Sequence, residues 1–242
     1  MRYHRVVSVI AGIHPVREAL LAVRPITRVV VARGLGGARV QEIVDLCRAA
    51  NVPLRFELRA ALDRLAGKTP HQGVVALGAA NRPVELEDLL DSMPPLILLD
   101  GVEDPHNLGA ILRTAHAAGA SSVVLPDRRS APVNETVARA SAGAVSHLSI
   151  ARVANLNRAL GTLKERGWWI YGFDASGDQN YDAVDYGARP ALVFGGEGKG
   201  LHEQVRRKCD HLVRIPLAGK VASLNVSVAV GVALFEWRRR SR

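Results

Sequence analysis

The sequence predicts an α/β protein in two parts, on three observations. Short apolar, β-branched-rich runs alternate with helix-length stretches along the chain. Leu96-Ile97-Leu98-Leu99 is apolar without alternation, as a strand buried on both faces of a parallel sheet must be. Between the halves the charge changes sign: residues 1–80 carry 12 Lys/Arg against 5 Asp/Glu, whereas residues 81–93 carry 1 against 4 and run into Pro94-Pro95. These features divide the 242 residues into a first domain at 1–78, a linker holding a short acidic helix at 79–94, and a second domain at 95–242.

In the first part, Val6 to Ile10 reads as a strand, and a helix follows with Pro15 in its first turn, where proline is favoured. Val29-Val30-Val31 is a second strand. Residues 39–50 form an amphipathic helix with Val40, Ile43, Val44 and Leu46-Cys47 inward. A third strand at 53–56, a short helix at 59–65 and a fourth strand at 74–77 complete a small α/β sandwich. No carboxylate pair, nucleophile–base pair or metal cluster stands out here, so a binding module is favoured over a catalytic one. The polar loop Lys68-Thr69-Pro70-His71-Gln72-Gly73 reads equally as a turn or as an RNA contact. Arg17, Arg24, Arg28, Arg33 and Arg39 are a solvated face or a source of phosphate contacts.

In the second part, the strand at 96–99 ends in a polar loop, with a helix beginning around Leu108. Ligands of α/β folds gather at the carboxyl ends of strands, which favours Asn107; Arg113 lies along the helix beyond it. His106 reads as an exposed loop histidine. Arg113, flanked by Leu112, Thr114 and Ala115, sits in an apolar setting that calls for an anionic partner. Strands follow at 122–125, 147–150 and 168–173, with helices at 134–142 and 155–166 between them. The strand at 191–194 runs into Gly195-Gly196-Glu197-Gly198-Lys199-Gly200-Leu201. No Lys-Ser/Thr pair closes this loop, so it is not a Walker loop. It also lacks the spacing and early position of a dinucleotide fingerprint. A structural turn has no need of Glu197. Finally, Ile215 reads as a strand end, and Ser223 as the N-cap of a helix apolar nearly all round from Leu224 to Trp237. Ser223, Asn225 and Ser227 near its start are satisfied internally or by a ligand.

Composition narrows the partners. The formal charge of +9 favours a polyanion such as nucleic acid. Cys47 and Cys209 lie far apart without metal-ligand spacing, which predicts free thiols and no metal. No signal-peptide pattern or membrane-length apolar run is present, so a soluble, cytoplasmic protein is expected.

Together, residues 107–115, 194–201 and 215–230 resemble the three motifs of the SpoU (TrmH-like) RNA ribose 2′-O-methyltransferases of the SPOUT class. The resemblance spans the second domain. Ala11-Gly12-Ile13-His14-Pro15-Val16 and His71-Gln72-Gly73-Val74-Val75-Ala76 resemble the family's ribosomal-protein-like substrate-binding domain. The two-part architecture is most similar to enzymes that methylate a guanosine of large-subunit (23S) ribosomal RNA. The resemblance implies a parallel sheet with a deep trefoil knot at about 191–237 and a homodimer paired through that domain. It also implies S-adenosylmethionine as cofactor, near Gly195, Gly196, Ile215, Leu217 and Leu224. Asn107, Arg113, Glu197, Ser223 and Asn225 match the catalytic positions. The family proposal makes Arg113 the base. Guanidinium groups do not deprotonate in proteins, so an easier role is to bind the adjacent phosphate and polarise the hydroxyl while a phosphate oxygen or water takes the proton. Within the class, a transfer-RNA enzyme and an antibiotic-resistance enzyme acting on ribosomal-RNA adenosine are alternatives. From another class, so is a non-catalytic RNA-binding assembly factor, against which the intact polar set weighs.

Overall fold

A computed structural model describes residues 8–22, 26–67, 69–78, 84–198 and 200–241. The chain forms two compact units that divide between residues 82 and 83.

The first unit comprises β1 (Ser8–Ala11), α1 (Ile13–Leu21), β2 (Ile26–Ala32), α2 (Ala38–Ala49), β3 (Leu54–Glu57), α3 (Arg59–Ala66) and β4 (Val74–Gly78). Its sheet runs in the order β1-β4-β2-β3. β4 is antiparallel to β1 and β2, and β3 is a parallel edge strand beside β2. Alternation along β2 explains the sandwich. Val29 and Val31 join Val16, Val40 and Ile43 under α1 and α2, while Val30 and Ala32 face Leu62 and Ala66 of α3. The expected strand overlaps β1; its Val6 and Val7 lie outside the described residues.

The second unit starts inside the segment expected to be a linker. Val84 bridges Ala151, and α4 (Leu86–Leu89) helps bury Leu86, Leu89 and Leu90 in the core. Residues 79–83 of that segment lie outside the described residues. The chain continues through β5 (Leu96–Asp100), α5 (Pro105–Ala118), β6 (Ser122–Pro126), α6 (Glu135–Ala140) and a 3-10 turn at Ala144–His147. β7 (Ser149–Val153), α7 (Leu156–Glu165), β8 (Trp169–Phe173), β9 (Gln179–Asn180) and β10 (Pro190–Gly195) follow. The unit closes with α8 (Glu203–Arg206), β11 (His211–Arg214) and α9 (Val226–Arg240). The seven strands are ordered β7-β6-β5-β10-β8-β11-β9, and every pairing is parallel. Apolar helices cover both faces: α5 and α9 on one, α4 and α7 on the other. From β5 the chain builds outward through β6 and β7, then crosses to β8, so β5 and β10 meet where the winding direction reverses. Loops leaving such a pair open a crevice at the carboxyl edge.

Several local expectations are corrected. Helix α5 begins at Pro105, not around Leu108, because Asp104 caps it by accepting from the His106 amide at 2.8 Å. Asn107 is therefore in the first turn rather than in a loop. Helix α9 is capped by Asn225, whose Oδ1 accepts from the Ser227 amide at 2.8 Å, and not by Ser223. The strand expected at 147–150 begins two residues later, behind the 3-10 turn. Nor is α9 buried all round: Val228 is 50% and Phe235 53% exposed. The short elements β9 and α8 lie in stretches to which the sequence assigned no element. No helix among the described residues is long and apolar enough to cross a membrane.

Candidate active site

The strand β10 delivers the chain into its glycine loop under tight backbone constraint. A Cβ on Gly196 would lie 1.9 Å from the Gly101 carbonyl oxygen, and one on Gly195 would lie 2.0 Å from the Gly200 carbonyl carbon. Only glycine lets these backbones approach so closely. The Gly196 amide donates to the Asp100 carbonyl at 2.7 Å, and the loop folds back so that Gly196 and Gly200 bridge.

The far end of the loop is tied to the same residue. Asp100, only 6% exposed, accepts from the His202 amide through Oδ2 at 2.8 Å, and its Oδ1 lies 3.0 Å from His202 Nδ1. His202 Nε2 lies 3.0 Å from Arg129 Nη1. The arginine can only donate, so Nε2 accepts and Nδ1 carries the proton donated to Asp100. Asp100 thus holds both ends of the loop 196–202, the first through its backbone carbonyl and the second through its carboxylate, and the sequence reading did not single it out. Its signal was a carboxylate closing an apolar strand.

On the outer side of the loop, three distant segments join through their side chains. Asn107 Nδ2 donates to Glu197 Oε1. Asn225 Nδ2 donates to Asn107 Oδ1 at 3.0 Å, while Asn225 Oδ1 accepts from the Ser227 hydroxyl at 2.6 Å. The polar residues at the start of α9 are therefore in part satisfied internally.

Beneath lies a cavity of about 560 Å³ at the carboxyl ends of β8, β10 and β11. Phe173, Phe194, Val213, Ile215, Leu217 and Leu224 supply apolar wall; Gly195, Gly196 and Gly198 supply backbone; Asp174, Glu197, Ser223 and Asn225 supply polar groups. All five residues expected near the cofactor and three of the expected catalytic set, Glu197, Ser223 and Asn225, line this one space. Asn107 reaches it through Glu197 and Asn225. Asp174 was missed; it is the polar residue directly after β8. Burial raises its pKa, but hydrogen bonds from the Ser176 hydroxyl and amide and the charge of Arg206 outweigh that, leaving it below the ordinary carboxylate value.

Arg113 is placed otherwise than expected. Its side chain is exposed, without an ion-pair or hydrogen-bond partner among the described residues, and it is not part of the cavity wall. It stands six residues beyond Asn107, about 9 Å along α5. The apolar neighbours in sequence face the core, and Arg113 occupies the helix's outer side. In the first unit, His71 of the loop suspected of touching RNA is buried and structural. Its Nδ1 accepts from the Gly73 amide at 3.0 Å, so Nε2 donates to Asp63 Oδ1 at 2.8 Å.

Residues 94–235 match the SpoU rRNA Methylase family, and residues 9–84 match the RNA 2′-O ribose methyltransferase substrate-binding family. The chain belongs to the SpoU rRNA methylase family. It is an S-adenosylmethionine-dependent RNA methyltransferase of the SpoU/TrmH type. It is 41% identical over 239 residues to the Bacillus subtilis protein YacO, assigned to the TrmH family of tRNA/rRNA methyltransferases, with 96% of each chain covered. A Staphylococcus aureus protein assigned likewise is 37% identical over the same share of both chains. Among solved structures, the AdoMet-bound rRNA methyltransferase of Sinorhizobium meliloti superposes with a TM-score of 0.77 at 29% identity, covering 97% of this chain and 87% of that one. The SpoU methyltransferase AviRb of Streptomyces viridochromogenes shares the fold, with a TM-score of 0.80 at 24% identity over 97% of this chain and 90% of its own. The SpoU family thus accounts for both units, and residues of the second and third sequence motifs line the cavity of the second unit.

Proposed function

We propose that this SpoU methylase binds S-adenosylmethionine in the cavity of the second unit and methylates a ribose 2′-hydroxyl of large-subunit (23S) ribosomal RNA, most specifically of a guanosine. The observation that carries this reading is the convergence of Gly195, Glu197, Ile215 and the 223–225 turn on one cavity at a strand-order reversal. The donor set fits the cofactor: apolar walls and open backbone suit an adenine, and Asp174 and Glu197 suit its ammonium and sulfonium groups. When bound, that group supplies an electrophilic methyl.

The chain's own residues account for the rest. Asn107 and Asn225 hold the Glu197 carboxylate in one orientation, and the Asp100–His202 pair fixes the loop that carries it. Such fixed geometry is what in-line attack by a weak nucleophile requires. Arg113, exposed and without a partner among the described residues, is suited to an RNA phosphate beside the reacting ribose. It holds the phosphate and polarises the hydroxyl, whose proton passes to a phosphate oxygen or to water.

The choice of ribosomal RNA rests on the first unit. The likeness to the structure described for 2-OH methylation of C/U34 on tRNA covers 61% of this chain but 97% of that one, whereas the S. meliloti rRNA enzyme covers 97% of this chain. We further propose that residues 191–237 form the family's deep trefoil knot, supported by the insertion of β10 between β5 and β8. A homodimer through the second unit is supported by the exposed Val228 and Phe235, seven residues apart on one face of α9.

The test is transfer of labelled methyl from S-adenosylmethionine to unmodified ribosomal and transfer RNA, with Arg113→Ala in parallel. Label at one ribose of large-subunit RNA, lost in the variant while cofactor binding persists, is expected. Label confined to transfer RNA refutes the substrate, and an unimpaired variant refutes the role of Arg113.

A further inference from the structure

A second cleft, of about 300 Å³, lies in the first unit between α3 and the β2–β3 edge. Three arginines line it, each from a different element: Arg28 of β2, Arg55 of β3 and Arg64 of α3. The strand register explains their meeting. Arg55 lies opposite Val30, and Arg28 is two residues before Val30, so the three side chains share one face. On α3, Ala61, Arg64 and Leu65 have the three- and four-residue spacing that turns them to the same side. The buried Val30 also lines the cleft and gives it an apolar surface.

The charges in this cleft are not balanced from within. Glu57 also lines it, yet no carboxylate among the described residues comes within ion-pair distance of Arg28, Arg55 or Arg64. Two other arginines of the same unit are paired, Arg17 with Glu18 and Glu42, and Arg48 with Asp45. Like charges on one face of paired strands repel, and Arg28 is in addition half-buried. An anion that accepts from several guanidinium groups removes that repulsion, and the planar guanidinium fork matches a phosphate better than an ammonium does.

We propose that Arg28, Arg55 and Arg64 form a subsite that grips backbone phosphate of the RNA substrate. The proposal rests on the reading of the chain as an RNA methyltransferase and names where the first unit holds its substrate. The contact is sequence-independent: it positions RNA without reading bases.

The test uses the full chain as wild type, as Arg28→Gln/Arg55→Gln/Arg64→Gln, and as Arg48→Gln for comparison. Arg55→Gln/Arg64→Gln, which changes only the two exposed side chains, guards against misfolding of the triple variant. Binding of large-subunit RNA transcript and of transfer RNA is titrated over a salt series, alongside S-adenosylmethionine affinity and methyl-transfer kinetics. The triple variant is expected to bind RNA about tenfold or more weakly, with a salt slope lower by about one per lost phosphate contact. KM for RNA should rise while kcat and cofactor affinity stay, and Arg48→Gln should match wild type. Unchanged RNA affinity and salt slope in both arginine variants would overturn the subsite, even if the cleft proved to bind an acidic peptide. Absence of methyl transfer by the wild type would refute the enzymatic reading separately, because the binding titration still decides the cleft.

Discussion

Replacing Gly196 by alanine probes whether the glycine loop is held by backbone contact. The added Cβ would sit 1.9 Å from the Gly101 carbonyl oxygen and 2.5 Å from its carbonyl carbon, both backbone atoms that no rotamer change can move. Real Cβ contacts are essentially never under 3.0 Å, so the two segments must separate by at least 1.1 Å, the difference between 3.0 and 1.9. That movement stretches the 2.7 Å hydrogen bond from the Gly196 amide to the Asp100 carbonyl. Losing the bond costs about 1 kcal/mol, and the overpacking another 1–3 kcal/mol. A total of about 2–4 kcal/mol lowers the melting temperature by roughly 5–15 °C. Displacing Glu197 by about 1 Å is worth a further hundredfold or so in methyl-transfer rate. Thermal unfolding, calorimetric titration with S-adenosylmethionine and single-turnover transfer read these effects. Gly161→Ala is the comparison: Gly161 lies inside α7 with nothing within 4 Å of its added Cβ. It should gain up to about 1 kcal/mol from helix propensity. A Gly196→Ala protein that melts and binds cofactor as wild type does would refute the backbone argument.

Other features of the fold give separate readouts. Asp100→Asn keeps the size of the side chain but removes the charge that His202 donates to, and should cost about 1.5–3 kcal/mol; an unchanged denaturant midpoint would contradict its role as the tie of the loop. Hydrogen bonds from Arg239 and Arg240 hold the Glu236 carboxyl down at about 2. A folded-state pKa below the unfolded value of about 4.3 gives stability that is present above that value and lost as pH falls toward about 2. Carboxyl NMR should therefore show Glu236 still ionised at pH 4, and ionisation midway at pH 4 would refute the pairing. Burial pushes the Cys47 thiol up to about 11 and the Cys209 thiol up to about 12. At pH 8 the Cys47 thiolate fraction is then about one part in a thousand and that of Cys209 lower still. Mass spectrometry after iodoacetamide treatment should find both unmodified until denaturant is added.

What could be read from the sequence divides along physical lines. The central strands were legible because Leu96 to Leu99 and Ala191 to Phe194 are buried on both faces, and such burial leaves an unbroken apolar pattern. The glycine loop was legible because tight backbone approach excludes every other residue. The two-residue strand β9 and the four-residue helix α8 were not, since neither is long enough to carry a period. Capping was misplaced by two residues because Ser223 and Asn225 are both competent caps, and only the path of the incoming chain chooses between them. Arg113 shows the limit of reading neighbours in sequence as neighbours in space: Leu112 is buried, yet the next residue along the helix turns outward.

The same reasoning explains why the polar set converges although its members are separated by up to 118 positions. Asn107, Glu197 and Asn225 do not bind each other strongly enough to bring three segments together; hydrogen bonds between exposed side chains contribute about 1 kcal/mol each. The ordering comes from the sheet. Asp100 at the end of β5 fixes the start of the glycine loop through its carbonyl and the end through its carboxylate. Only four residues further on, Asp104 caps α5 and sets Asn107 in the first turn, facing that loop. Helix α9 packs along α5 closely enough for Gly231 to face the Thr114 methyl, which carries Asn225 to Asn107. Each contact among Asn107, Glu197 and Asn225 is thus a consequence of packing already in place, so its net energy goes into orienting Glu197 rather than into holding the fold.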